Sequence, residues 1–131
     1  MPLLNLLVFG TAAMILHEIG HVVFAVLLDV KVHRVGVSRR GLFIHRECGS
    51  ARRNLAITLA GPGTNLILAA MFSGHRPDFV LCNFTVGVIN LLPIPASDGL
   101  RALRLVRSLM ARGRMQAAAD SNALLADSKV K

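Results

Sequence analysis

Residues 3–28 read LLNLLVFGTAAMILHEIGHVVFAVLL, an apolar run without Lys or Arg whose one carboxylate, Glu18, stands between His17 and His21. A helix that crosses a membrane needs about 20 apolar residues, within a range of about 17–25. This run meets that length, and so does a second one over about 54–73. A third, over about 79–92, is shorter and spans only if Leu91-Leu92-Pro93-Ile94-Pro95 lies within the membrane, shielded by protein. The expected fold is mostly α: a membrane-embedded core of three transmembrane helices, in one domain over 1–115.

Composition supports that reading. The chain has 131 residues, 53% hydrophobic and 17% charged, with a mean hydropathy of +0.57. Disordered chains are poor in apolar residues, so this class is excluded, and a typical soluble globule is disfavoured. Cys48 and Cys82 have no framework spacing and read as free thiols. The first run is longer than the apolar region of a signal peptide, has no basic residues before it and carries polar residues that look functional.

The placement of the +8 net charge sets a topology. Arg76 alone lies between the second and third runs. Lys31, Arg34, Arg39, Arg40, Arg46, Arg52 and Arg53 lie between the first two, and Arg101, Arg104, Arg107, Arg112, Arg114, Lys129 and Lys131 follow the third. With three crossings both large groups share one side, which the positive-inside tendency makes the cytoplasm, with the N-terminus outside. A basic surface also suits nucleic acid. The chain has no Trp or Tyr for base stacking, however, so no nucleic-acid partner is expected.

His17-Glu18-Ile19-Gly20-His21 carries the chemistry. Residues four apart share a helix face, so both imidazoles can reach one zinc ion at about 2.0–2.1 Å. Glu18 lies about 100° round the helix, beside the metal without ligating it, which suits a general base. Ionisable groups inside a membrane are costly and default to functional roles. A pair of polar core histidines is the plain alternative. A catalytic zinc takes three protein ligands and an open position. Asp98 is the candidate third, because Pro93 and Pro95 break the helix before it and let the chain swing inward. His21 lies about 10 Å from the charged side, at 1.5 Å per residue to Leu28, and Asp98 approaches that same side.

A membrane-embedded HExxH followed by Asn90-Leu91-Leu92-Pro93-Ile94-Pro95-Ala96-Ser97-Asp98-Gly99 resembles the site-2 protease family of intramembrane zinc metalloproteases. Ala60-Gly61-Pro62-Gly63-Thr64-Asn65 is similar to that family's Gly-Pro…Asn stretch, and the matches span most of residues 5–104 in the family's order. The resemblance implies His17, His21 and Asp98 as ligands of one Zn2+, Glu18 as catalytic base, and Asn90 and Asn65 as substrate-positioning or oxyanion groups. Ala96-Ser97 stands where Pro-Leu is more usual, and Leu100 where a second glycine is common.

Gly61-Pro62-Gly63 reads either as a kink beside the zinc or as a packing notch, and Gly20 has the same two readings. Residues 30–46 alternate as a short cytoplasmic β-hairpin whose edge could take an unwound substrate strand, or form a solvated basic loop. His33, His45 and His75 read as surface residues and Asp29 as an interfacial carboxylate. Residues 99–115 read as a basic amphipathic helix, on the membrane surface or against the core, and 116–131 as a flexible tail. The expected function is an intramembrane zinc endopeptidase that cuts transmembrane-helix protein substrates in the lipid bilayer. The alternatives are a non-catalytic or truncated relative that binds membrane helices without cleaving them, and a soluble zinc hydrolase with a greasy core.

Overall fold

The computed structural model describes residues 3–38, 41–47 and 49–128. Four helices and a strand pair follow in the order α1 (Leu3–Leu27), β1 (Val32–Ser38), β2 (Gly41–Arg46), α2 (Ala51–Met71), α3 (Pro77–Leu91) and α4 (Asp98–Ser128). Helices α1, α2 and α3 pack on one another, and α4 packs mainly on α2. Helices α1 and α2 are long and apolar enough to cross a membrane. Helix α3, at 15 residues, is shorter.

Local chemistry sets the element ends. Helix α1 closes with Asp29 in the left-handed region at φ 53°. Val30 N–H donates to Ala25 O at 2.8 Å and Asp29 N–H to Val26 O at 3.0 Å. That pair of bonds is a Schellman closure, which caps carbonyls the last turn leaves free. Its apolar contact is present too, since Ala25 and Val30 form a buried cluster with Ile57 of α2. Ser50 starts α2 by accepting the Arg53 N–H on its side-chain oxygen at 3.3 Å. Pro77 opens α3, where its missing N–H costs nothing.

β1 and β2 pair antiparallel, with Val32 opposite Arg46 and Ser38 opposite Gly41. Arg39 and Arg40, within the expected hairpin, and Cys48 lie outside the described residues, as does the side chain of His45. His33, His75 and Asp29 are exposed, and Cys82 is a buried free thiol.

Helix α4 runs on past Met115 to Ser128, through most of the segment expected as a tail. Gln116-Ala117-Ala118-Ala119 contains no breaker, and Ala and Gln are among the best helix formers, so the helix has no local reason to stop.

Burial is arranged unusually. Among the described residues the buried apolar positions are small or few: Ala13, Ala25, Val30, Ile57, Ala60, Ala69, Cys82 and Ala102. The buried polar positions are His17, Thr58, Asn65, Asn83, Ser97 and Asp98. Large apolar side chains stand outside, among them Leu7, Val26, Leu27, Ile67, Met71 and Phe84.

Candidate metal centre

The centre forms beside a close approach of α1 and α2. A methyl group at Gly20 would stand 2.9 Å from Ala60 O and 3.0 Å from Thr64 Cβ, so the absence of a side chain lets the two backbones approach. One turn away, His17 is 3% exposed. The His17 and His21 rings meet edge to face with centroids 4.8 Å apart. Gly61 lies directly beneath them: a Cβ there would stand 2.6 Å from His21 Cε1 and 2.8 Å from His17 Nε2. Gly61 thus has a more specific part than either a kink or a general notch. It is the floor under two ring nitrogens.

Hydrogen bonds fix which nitrogen of each ring faces the centre. His21 Nδ1 lies 2.7 Å from Ile57 O. A carbonyl only accepts, so Nδ1 carries the proton and, in the neutral ring, Nε2 is bare. His17 Nδ1 lies 2.8 Å from Asn65 Oδ1. The two protons of Asn65 Nδ2 go to Ala13 O and Asn83 Oδ1, both at 2.9 Å. The oxygen of that amide therefore faces His17, whose Nδ1 donates and whose Nε2 is also left bare. Second partners of this kind set tautomer and ring orientation in metal-binding histidines.

Asp98 arrives from the far end of the chain. The Leu92–Ala96 segment leaves α3 in extended backbone at Leu92, φ −66° and ψ 141°. Ser97 then caps α4, accepting the Leu100 N–H on Oγ at 3.2 Å, while its own hydroxyl points at Leu92 O and Ile94 O at 2.6 and 2.7 Å. Asp98 is the first residue of α4, 6% exposed, at the helix end that favours negative charge. Its Oδ2 lies 3.0 Å from His17 Nε2 and 2.9 Å from His21 Nε2. With a proton on Nε2, either imidazole donates to this carboxylate. Burial alone would push the Asp98 carboxyl up, but hydrogen bonds from the His17 and His21 rings, when these also carry a proton on Nε2, outweigh it and hold it well below the usual carboxylate range.

The turn that delivers Asp98 contains Ala96 at φ 68°. The left-handed region costs a residue with a Cβ about 1–2 kcal/mol, and glycine offsets part of that relief with about 0.5–1 kcal/mol of chain entropy. Ala96→Gly is expected to raise the thermal midpoint in detergent by the equivalent of up to about 1 kcal/mol. A lower midpoint would show that the Ala96 methyl group packs favourably enough to outweigh the strain.

The donor set suits a divalent cation. His17, His21 and Asp98 form the group among the described residues that could hold a metal ion. Four-coordinate zinc with bonds of about 2.0–2.2 Å sets its ligands about 3.3–3.6 Å apart. The three edges here are 3.2, 3.0 and 2.9 Å, so each must open by a few tenths of an ångström or slightly more. A proton bridges one pair of these atoms at a time, whereas a divalent ion satisfies all three lone pairs together.

Glu18 is half-buried and close enough to His21, His17 and Asp98 to feel their charges. Among the described residues no hydrogen bond holds its carboxylate. The two asparagines, expected as substrate-positioning or oxyanion groups, have the following partners within the protein. Asn65 is 0% exposed; both its amide protons go to protein and its oxygen faces His17 Nδ1, so it orients that ring. Asn90 donates to Val86 O at 3.0 Å, within its own helix. Among the described residues no hydrogen bond links it to the three ligands. It sits on α3, which ends before the turn that carries Asp98 inward.

Asn83 escaped the sequence reading. It is 0% exposed, accepts from Asn65 and donates to Phe79 O at 3.0 Å. Its signal was an amide in the middle of an apolar run, the same default that pointed to Glu18. Compared with models of known protein families and with curated proteins, the chain matches none.

Proposed function

We propose that this chain is a membrane-embedded metallopeptidase that hydrolyses peptide bonds in or beside transmembrane segments of other proteins. The observation that carries the proposal is the convergence of two oriented Nε2 atoms and the Asp98 carboxylate next to a free glutamate. This cluster lies inside a bundle that turns its large apolar side chains outward. Leu27 is 72% exposed and Met71 69%, a costly arrangement in water and a favourable one in lipid.

The exposed basic residues support a cytoplasmic side for the centre. Lys31 and Arg34 follow α1, Arg52 and Arg53 open α2, and Arg101, Arg104 and Arg107 follow Asp98 along α4. Water and the anionic leaflet then lie at the end of the bundle that holds His21 and Asp98. Helix α4 presents these arginines to lipid headgroups, and β1–β2 lies on the same side.

His17, His21 and Asp98 would hold a zinc ion. When bound, the ion supplies Lewis acidity that lowers the pKa of a water molecule to about 7 and polarises a carbonyl oxygen. Glu18 accepts the proton from the attacking water and returns it to the leaving amine nitrogen. Asn65 and Ile57 O keep both imidazoles turned to the centre throughout. The substrate's own carbonyls are tied in i→i−4 hydrogen bonds, so a substrate helix must unwind locally, and helix-weakening residues are expected near the cut.

The test is cleavage of a reconstituted transmembrane substrate by wild type and by Glu18→Gln. Removing the base lowers turnover by about 10²–10⁴-fold while zinc content is unchanged. Equal, chelator-insensitive cleavage by both proteins would end the proposal. Helix binding without any turnover would leave a non-catalytic binder in its place.

A further inference from the structure

We infer that Asn83 is a positioning residue that sets, through Asn65, which nitrogen of His17 faces the metal centre. The consequence for metal binding rests on the reading of His17 as a ligand; the effect on the ring itself does not. The inference stands on a hydrogen-bond relay with one direction. Phe79 O accepts from Asn83 Nδ2 at 3.0 Å, Asn83 Oδ1 accepts from Asn65 Nδ2 at 2.9 Å, and Asn65 Oδ1 faces His17 Nδ1 at 2.8 Å. The relay crosses three helices, from the backbone of α3 through α2 to α1. Both asparagines are 0% exposed, so water cannot replace a lost partner.

Each link has only one sense. Phe79 O is a carbonyl and cannot donate, so the amine end of Asn83 must face it and the oxygen must face Asn65. That oxygen and Ala13 O together claim both protons of Asn65 Nδ2. Turning the Asn65 amide over would set its oxygen against two acceptors and its protons against His17. With Asn83 unable to accept, one of those two obstacles disappears. A turned Asn65 donates to His17 Nδ1, which then must be the bare nitrogen. The ring proton moves to Nε2, the atom 3.0 Å from Asp98, and a protonated nitrogen does not ligate. Asn83 thus acts on the centre without touching it.

The test compares wild type, Asn83→Leu and Asn83→Asp in the 131-residue chain purified in detergent and stripped of metal. Leucine has similar shape and cannot accept; aspartate accepts from Asn65 with one oxygen and, protonated on the other, donates to Phe79 O. The first readout is the ¹⁵N chemical shift of the His17 imidazole, which separates a bare ring nitrogen from a protonated one. The second is zinc affinity by competition with a chelating dye. Wild type and Asn83→Asp are expected to carry the ring proton on Nδ1. Asn83→Leu is expected to populate the other tautomer and to bind zinc about 10–100-fold more weakly, the usual loss for a second partner of a ligand. A neutral His17 ring in wild type with its proton on Nε2 and none on Nδ1 overturns the inference without any variant. So does an unchanged His17 ring in Asn83→Leu, or equal loss in both variants, which would mark a packing role. If wild type binds no zinc, the metallopeptidase reading falls, and the ring shifts still decide the relay.

Discussion

Asp98→Ala is expected to reduce the zinc content of detergent-purified protein from about one ion per chain to background, the occupancy a catalytic site requires. His17 and His21 would remain, both from α1, as two neutral ligands. The variant loses the third ligand atom and the centre's formal negative charge in one step. A second partner that only orients a ligand costs about 10–100-fold in affinity, and removal of a ligand itself must exceed that. The helix should survive, because its cap belongs to Ser97 and not to Asp98. Elemental analysis together with circular dichroism checks both halves. A full complement of zinc in Asp98→Ala would mean that α4 does not supply the ligand.

Asp98 was legible in the sequence for a physical reason. Two prolines within three residues forbid a helix at 93–95, so the chain must turn, and Asp98 is the first carboxylate after that turn. The histidine pair was legible because a helix repeats on one face every four residues. What joins these two segments was not. Nothing in the period of α2 says that Gly61 lies beneath two imidazoles, since the same Gly-Pro-Gly reads equally as a notch or a kink. Asn65 and Asn83 were visible as amides in apolar runs, which implies a partner but does not name it. Their partners are each other and His17, at sequence separations of 18 and 48, and contact over that range is set by how α1, α2 and α3 pack. The length of α4 was not legible because small and polar composition resembles a tail, while Ala-rich sequence without a breaker also favours a helix.

Gly61→Ala separates the helix's preference from the needs of the centre. By backbone propensity alone the substitution is favourable, since alanine stabilises a helix interior by about 1 kcal/mol over glycine. The new methyl group, however, would sit 2.6 Å from His21 Cε1 and 2.8 Å from His17 Nε2, and closest of all to His21 Nε2. Neither ring can yield cheaply. His21 is tied to Ile57 O and His17 to Asn65, with distances of 2.7 and 2.8 Å that leave little slack. The rings must tilt, which breaks a hydrogen bond and turns Nε2 away from Asp98, or α1 must back away from α2. Zinc affinity is therefore expected to fall by more than about 100-fold, beyond the usual loss of a single second partner, while helix content holds. Gly63→Ala is the matched control, two residues along the same helix and on the other side of Pro62. A Cβ there meets nothing within 4 Å, so it should bind zinc as wild type does and gain the full helix preference. If both substitutions left zinc binding intact, the rings would not be held against Gly61 and the floor of the centre would lie elsewhere. Equal loss in both would point to a general intolerance of bulk around Pro62 and remove the specific role given to Gly61.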